Sequence, residues 1–84
     1  MYLGIKQVKP LPNYLLLLTF ENGEERYFDV TPLLGTGVFS SLRDQSLFET
    51  VFVKYDTIEW PNGVDLDPEI LYSESTTRKP QYIA

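Results

Sequence analysis

Asp56-Thr57-Ile58-Glu59-Trp60-Pro61-Asn62-Gly63-Val64-Asp65-Leu66-Asp67-Pro68-Glu69-Ile70-Leu71-Tyr72 is the stretch whose reading decides the fold. It holds the only tryptophan, Trp60, followed at once by a turn signal, Pro61-Asn62-Gly63. Proline presets the φ of an early turn position, and glycine accepts the positive φ that a tight turn demands later. Asp67-Pro68-Glu69 then spells a helix start. The carboxylate caps free N–H groups, the proline lacks an N–H where none is needed, and the acid sits in the first turn. Leu66, Ile70 and Leu71 are placed to face a core. A strand, a turn and a helix start follow so closely that the earlier chain must supply a sheet and short helices for them to close onto.

Upstream of this stretch, Phe52 to Tyr55 and Ile58 to Trp60 read as a hairpin turning about Asp56-Thr57. Asp44 is placed to cap a short helix in which Leu47, Phe48 and Val51 share a face. Val38 to Arg43 reads as another helical piece. A third opens at Pro32, capped by Asp29 or Thr31, and ends at Gly35 and Gly37. One- and two-turn elements do not stand alone in water, so these must pack on a sheet.

That sheet is read from the first part of the chain. Tyr2 to Lys9 is a first strand, with Leu3 and Ile5 pointing one way and Tyr2, Lys6 and Val8 the other. Pro10-Leu11-Pro12-Asn13 should break it, because neither proline can donate to a ladder. Tyr14 to Phe20 is a strand whose Leu15-Leu16-Leu17-Leu18 run lacks alternation, so it belongs in the centre of the sheet. Asn22-Gly23 signals a type I′ hairpin leading into a strand from Glu24 to Val30. A two-residue loop would pair Phe20 with Glu25, Leu18 with Tyr27 and Leu17 with Phe28. From Ser73 onward the chain is polar and is expected to be a mobile tail. Tyr82 and Ile83 there either dock on an apolar groove or belong to a frayed terminus. The expectation is an α+β fold: a small antiparallel sheet, formed by a three-stranded N-terminal meander plus a C-terminal β-hairpin, with several short helices. Residues 1–72 form its single domain, and 73–84 the tail.

Composition narrows the function. The chain has 84 residues, no cysteine and no histidine. A disulfide framework, a thiolate metal site, a Ser–His pair and an imidazole base are therefore excluded. Gly35-Thr36-Gly37 lacks the pattern of a phosphate-cradling loop. No catalytic residue, cofactor or metal is expected. Net charge is −5, from 12 acidic and 7 basic residues, and Arg78-Lys79 is the sole basic cluster. Direct nucleic-acid binding, which depends on Lys and Arg neutralising phosphates, is not expected. The acidic balance suits a basic protein partner, but plain solubility is the reading placed ahead of it. No run reaches membrane-span length, and the N-terminus lacks a signal-peptide pattern, so the expectation is a soluble cytoplasmic protein without membrane contact.

The order Val8-Lys9-Pro10-Leu11-Pro12-Asn13-Tyr14, then Leu16, Leu18, Phe20, Asn22-Gly23, Phe28-Asp29, Gly37-Val38-Phe39, Leu42-Arg43-Asp44 and Phe48, ends in Ile58-Glu59-Trp60-Pro61-Asn62-Gly63-Val64-Asp65-Leu66 with Pro68 and Leu71-Tyr72. This pattern resembles domain-of-unknown-function family 2442, whose members are small bacterial proteins. The resemblance spans residues 2 to about 72, and Trp60 to Asp65 is its most specific piece. It implies a small α+β domain and a role as one half of a two-gene pair resembling toxin–antitoxin modules. Some relatives carry an added helix-turn-helix domain; this sequence shows none, so DNA binding is not carried over. No catalytic residue is transferred.

Six residues are candidates for an interaction surface: Glu59, Trp60, Asn62, Asp65, Asp67 and Tyr72. Tryptophan is enriched at binding hot spots, but Trp60 could equally plug the core. Asp65 and Asp67, with Glu59 and Asp56 nearby, could attract a basic partner or a divalent cation. Alternatively Asp67 caps the helix and Asp65 bonds loop amides. Asp65 to Glu69 does not fit a calcium loop. Two functions follow as expectations: a protein-interaction module, antitoxin-like and partnered by another small protein, or a ligand- or metal-binding regulatory domain using Glu59, Asp65 and Asp67. A homodimer through an exposed strand edge is compatible with either.

Overall fold

The computed structural model describes residues 3–80. Tyr2, Tyr82 and Ile83, for which strand or docking roles were expected, lie outside the described residues. Two antiparallel sheets of three strands each form the frame. The first has the order β1 (Ile5–Leu11), β2 (Leu15–Phe20), β3 (Glu25–Asp29). The second has the order β4 (Phe52–Lys54), β5 (Thr57–Glu59), β6 (Asp65–Leu66). Between them run 3₁₀ turns at Thr31–Leu33 and Gly37–Arg43, then α1 (Gln45–Phe48); α2 (Pro68–Ser73) follows β6. This is the expected α+β class. The C-terminal hairpin gains a third strand, β6, too short to read from two residues.

The leucine-rich strand is central as expected, but its neighbours differ in detail. Register shifts between Ile5 and Gln7, so Lys6 forms a bulge. The bulge resets the alternation. Ile5 pairs with Phe20 and Val8 with Leu18, so both reach the core face instead of opposite faces. Pro10 does not break β1; it lies opposite Leu16. Pairing alternates between bonded and non-bonded positions, and Leu16 belongs to the set that bonds toward β3, as Val30 N–H to the Tyr14 carbonyl shows (3.0 Å). Pro10 therefore turns its nitrogen outward on an edge strand, where no ladder donor is lost.

The β2–β3 register also differs by one residue from the expected pairing. Leu18 faces Arg26, Leu17 faces Tyr27 and Leu16 faces Phe28. The loop holds three residues, Glu21-Asn22-Gly23. Gly23 N–H donates to the Phe20 carbonyl (2.9 Å) and Phe20 N–H to that of Glu24 (2.8 Å). Gly23 takes φ 89°, whereas Asn22 is not among the positive-φ residues, so this is no type I′ turn. Asn22 acts through its side chain: Oδ1 accepts Glu24 N–H (3.0 Å). The observed register keeps Leu16, Leu18, Phe20 and Phe28 buried on one face.

The same device closes β5 onto β6. Gly63 N–H donates to the Trp60 carbonyl (2.9 Å), Trp60 N–H to that of Val64 (2.8 Å), and Gly63 also takes φ 89°. Asn62 Oδ1 accepts Val64 N–H (3.3 Å). The β4–β5 turn is Tyr55-Asp56, not Asp56-Thr57, because Lys54 pairs directly with Thr57. Tyr55 adopts φ 48° there. The sheets meet where Ile5 N–H donates to the Asp56 carbonyl (2.9 Å).

The core lies between the sheets and the short helices. Trp60, Phe20, Phe48, Leu16, Leu18, Leu42, Ile58 and Leu71 are fully buried in it. Asp44 caps α1 by accepting Ser46 N–H (3.0 Å), and Asp67 caps α2 by accepting Glu69 N–H (2.8 Å). Neither Asp29 nor Thr31 sits at the N-cap of the turn holding Pro32; Val30 does, while the Asp29 carboxylate accepts the Thr31 N–H and hydroxyl. Contacts continue past Tyr72. Ser75 is buried, and Thr76 pairs with Tyr27 through bonds of 2.7 and 2.9 Å along the outer edge of β3. Among the described residues no helix is long and apolar enough to cross a membrane.

Candidate functional site

The six candidate residues do not form one surface. Trp60 is fully buried, so it is not available to a partner in the folded chain. Its indole Nε1 donates to the Phe48 carbonyl at 2.9 Å, which satisfies the polar end of a large apolar side chain. Glu59 is half-buried, with Lys54 Nζ 3.7 Å from its carboxylate. Asn62 is exposed and ties its turn to the 3₁₀ segment through Ser41 Oγ (2.9 Å). Loop-tying, one reading of Asp65, thus belongs to Asn62. Among the described residues the Asp65 carboxylate accepts no hydrogen bond.

Tyr72 belongs to a polar cluster on β3. Its hydroxyl donates to Glu24 Oε1 (2.8 Å), its ring meets Phe20 edge-on (5.1 Å), and the Arg26 guanidinium lies 4.4 Å from the ring centre. Arg26 also donates to Ser75 Oγ (2.8 Å), to the Ser75 carbonyl (2.9 Å) and to Glu24 (3.2 Å). Hydrogen bonds from Asn22, then Tyr72, then Arg26 hold the Glu24 carboxyl below its ordinary value. The bond to Glu24, and then burial, hold the Tyr72 phenol above its own. The cluster's bonds are satisfied internally, and they anchor α2 and the strap after it to the first sheet.

Asp65 and Asp67 do come together, on the rim of an open groove of about 470 Å³. Its floor is apolar. Phe28 comes from β3, Leu33 and Phe39 from the 3₁₀ segments, Leu66 from β6 and Ile70 from α2. Ile70 is 47% exposed, on a helix that buries Leu71 completely. Asp29 at the end of β3 and Glu74 at the end of α2 complete the rim with Asp65 and Asp67. Among the described residues no lysine or arginine lines it. An apolar recess with a few placed polar groups is the usual form of a binding site.

The groove residues Phe39, Ile70 and Glu74 were not legible as site residues. Ile70 reads only as a core position of its short helix and Phe39 only as part of a helical piece, and nothing in their spacing says that they line one groove. Among the described residues no group of three or more His, Cys, Asp and Glu side chains is placed to hold a metal ion. Glu59 lies directly across from Asp65 in the β5–β6 pair, so the two side chains share a face, but Glu59 is engaged by Lys54 and does not line the groove with Asp65 and Asp67.

The fold and groove define a small α+β domain whose exposed recess is apolar within and acidic at the rim. The profile of the family described as "Protein of unknown function (DUF2442)" matches residues 5–77, and the chain belongs to that family. No curated protein and no solved structure matches it.

Proposed function

We propose that the protein is an interaction module without catalytic activity, and that the groove between β3 and α2 is its docking surface. The partner is another small protein, which fits the antitoxin-like half of a two-gene pair acting in the cytoplasm. The observation that carries this reading is the apolar floor left open beside a complete core, with Ile70 facing solvent. Apolar recesses rimmed by polar residues mark interaction sites in soluble proteins.

The test is affinity capture from source lysate with wild-type protein and with Ile70→Gln, each with and without nuclease. Ile70 is exposed and glutamine is a good helix former, so the variant keeps its fold. One stoichiometric small protein, held by wild type, lost by the variant and indifferent to nuclease, is expected. Equal capture by both overturns the groove as the surface. Recovery that disappears with nuclease overturns the protein partner.

A second reading is a ligand-binding regulatory domain, supported by the groove's volume of about 470 Å³. Small-molecule sites span about 300–1,000 Å³. A ligand raises the melting temperature by mass action, so a metabolite screen that gives no shift sinks this reading.

A further inference from the structure

We propose that the occupant of the groove is a segment of the partner protein that sets large apolar side chains between lysines or arginines. This rests on the groove being the docking surface. The argument comes from the origin of the rim carboxylates. Asp29 ends β3, Asp65 opens β6, Asp67 caps α2 and Glu74 closes it, so acidic groups stand on both walls.

Their hydrogen bonds leave the charges in place. Asp29 Oδ1 holds the Thr31 N–H and hydroxyl, and Asp67 Oδ1 holds the Glu69 N–H. Neither ion pair seen among the described residues, Arg26–Glu24 and Lys54–Glu59, involves the rim. Lys54 is held by Glu59, across from Asp65, and the four rim carboxylates are in neither pair, so the mouth keeps its negative charge.

An apolar side chain entering the floor removes water from the mouth. Without a counter-charge, the partial desolvation opposes binding, and an acidic segment meets like charge directly. Lysine or arginine on either side of the apolar anchor removes both penalties. Arginine does so with a planar fork suited to carboxylates. Charge of this kind selects the partner and speeds encounter, while the floor supplies the apolar contact.

The test selects random peptides displayed on phage against the wild-type protein, with counter-selection on Ile70→Gln. Peptides that need Ile70 are expected to be enriched in Lys and Arg beside Leu, Ile or Phe. Synthetic copies are then titrated against a variant carrying Asp29→Asn, Asp65→Asn, Asp67→Asn and Glu74→Gln. Asparagine keeps an acceptor oxygen for the Thr31 and Glu69 bonds, so the fold persists. Affinity is expected to drop by about tenfold in this variant and to weaken with salt. Ile70-dependent peptides with no basic bias, or with unchanged affinity for the neutralised variant, overturn the proposal and leave the docking surface standing. Failure to recover any Ile70-dependent peptide overturns the docking surface and this proposal together.

Discussion

The indole Nε1–H of Trp60 donates to the carbonyl oxygen of Phe48 at 2.9 Å, and the two rings lie 6.2 Å apart at 32°. Phe48 is the last residue of α1, where carbonyls lack an intrahelical partner. The Val51 N–H reaches this carbonyl only at 3.4 Å. A side chain leaving β5 thereby caps a helix that follows the first sheet, and the core closes around the bond. The same tryptophan that has the composition of an interface anchor acts as a plug between layers.

Trp60→Phe keeps a ring in the core and removes the donor. The Phe48 carbonyl is left with its long bond to Val51, and an orphaned buried acceptor costs about 1–3 kcal/mol. Trp60→Ala adds a cavity, for a loss of about 3–5 kcal/mol. Urea unfolding followed by circular dichroism measures both. A Trp60→Phe protein as stable as wild type would mean that the indole bond contributes nothing.

Gly23 and Gly63 occupy equivalent positions in the two hairpin loops, each at φ 89°. A Cβ added at either meets nothing within 4 Å, so substitution there tests backbone strain alone. Alanine at either site is expected to cost about 1 kcal/mol. Asparagine should cost less, because its side chain tolerates the left-handed region. Unequal losses between Gly23→Ala and Gly63→Ala in chemical denaturation would show that the loops are not the same device.

The Glu24–Tyr72 pair predicts a dependence on pH at both ends of the range. The folded Glu24 carboxyl is held below its ordinary value, first by Asn22. Its contribution is complete above the unfolded value of about 4.3 and is lost as pH falls through the lower folded value, where the unfolded chain binds more protons. The folded Tyr72 phenol is held above its ordinary value, first by Glu24. That contribution is complete below about pH 10 and is lost as pH rises through the folded value. Glu24→Gln should flatten the acid limb and Tyr72→Phe the alkaline limb of stability against pH. An unchanged acid limb in Glu24→Gln would place the dependence on other carboxylates.

Much of this fold is legible because its punctuation is local. Asn22-Gly23, Pro61-Asn62-Gly63, Asp44 and Asp67-Pro68 each mark a turn or cap through chemistry within a few residues. What stays hidden depends on distant partners. Asn22-Gly23 serves either a two-residue loop or the end of a three-residue one. The unbroken Leu15–Leu18 run offers leucines to both faces, so hydrophobic pattern does not choose between the registers; burial of Phe28 against Leu16 does. The bulge at Lys6 is equally silent, since Ile5 and Val8 look like opposite faces of a regular strand. The groove is the extreme case. Asp65 and Asp67 stand out by themselves, but their setting includes Phe39 and Ile70, which line one groove only in the folded chain.

Asp65 and Asp67 separate stability from recognition. The Asp67 carboxylate accepts Glu69 N–H at 2.8 Å and caps α2, whereas among the described residues the Asp65 carboxylate bonds to nothing. Asp67→Ala is therefore expected to lose about 1 kcal/mol of unfolding free energy, the usual worth of an N-cap. Asp65→Ala should change stability by less than about 0.5 kcal/mol, as exposed substitutions generally do. Asp67→Asn should recover most of the loss, because its amide oxygen still caps the helix. Urea titrations of the three variants measure this. If Asp65→Ala proves as destabilising as Asp67→Ala, the carboxylate has a structural task in solution, and its place on the rim no longer speaks for a partner. If Asp65→Ala is neutral in stability yet weakens binding of groove-dependent peptides, the carboxylate is there for what enters the groove.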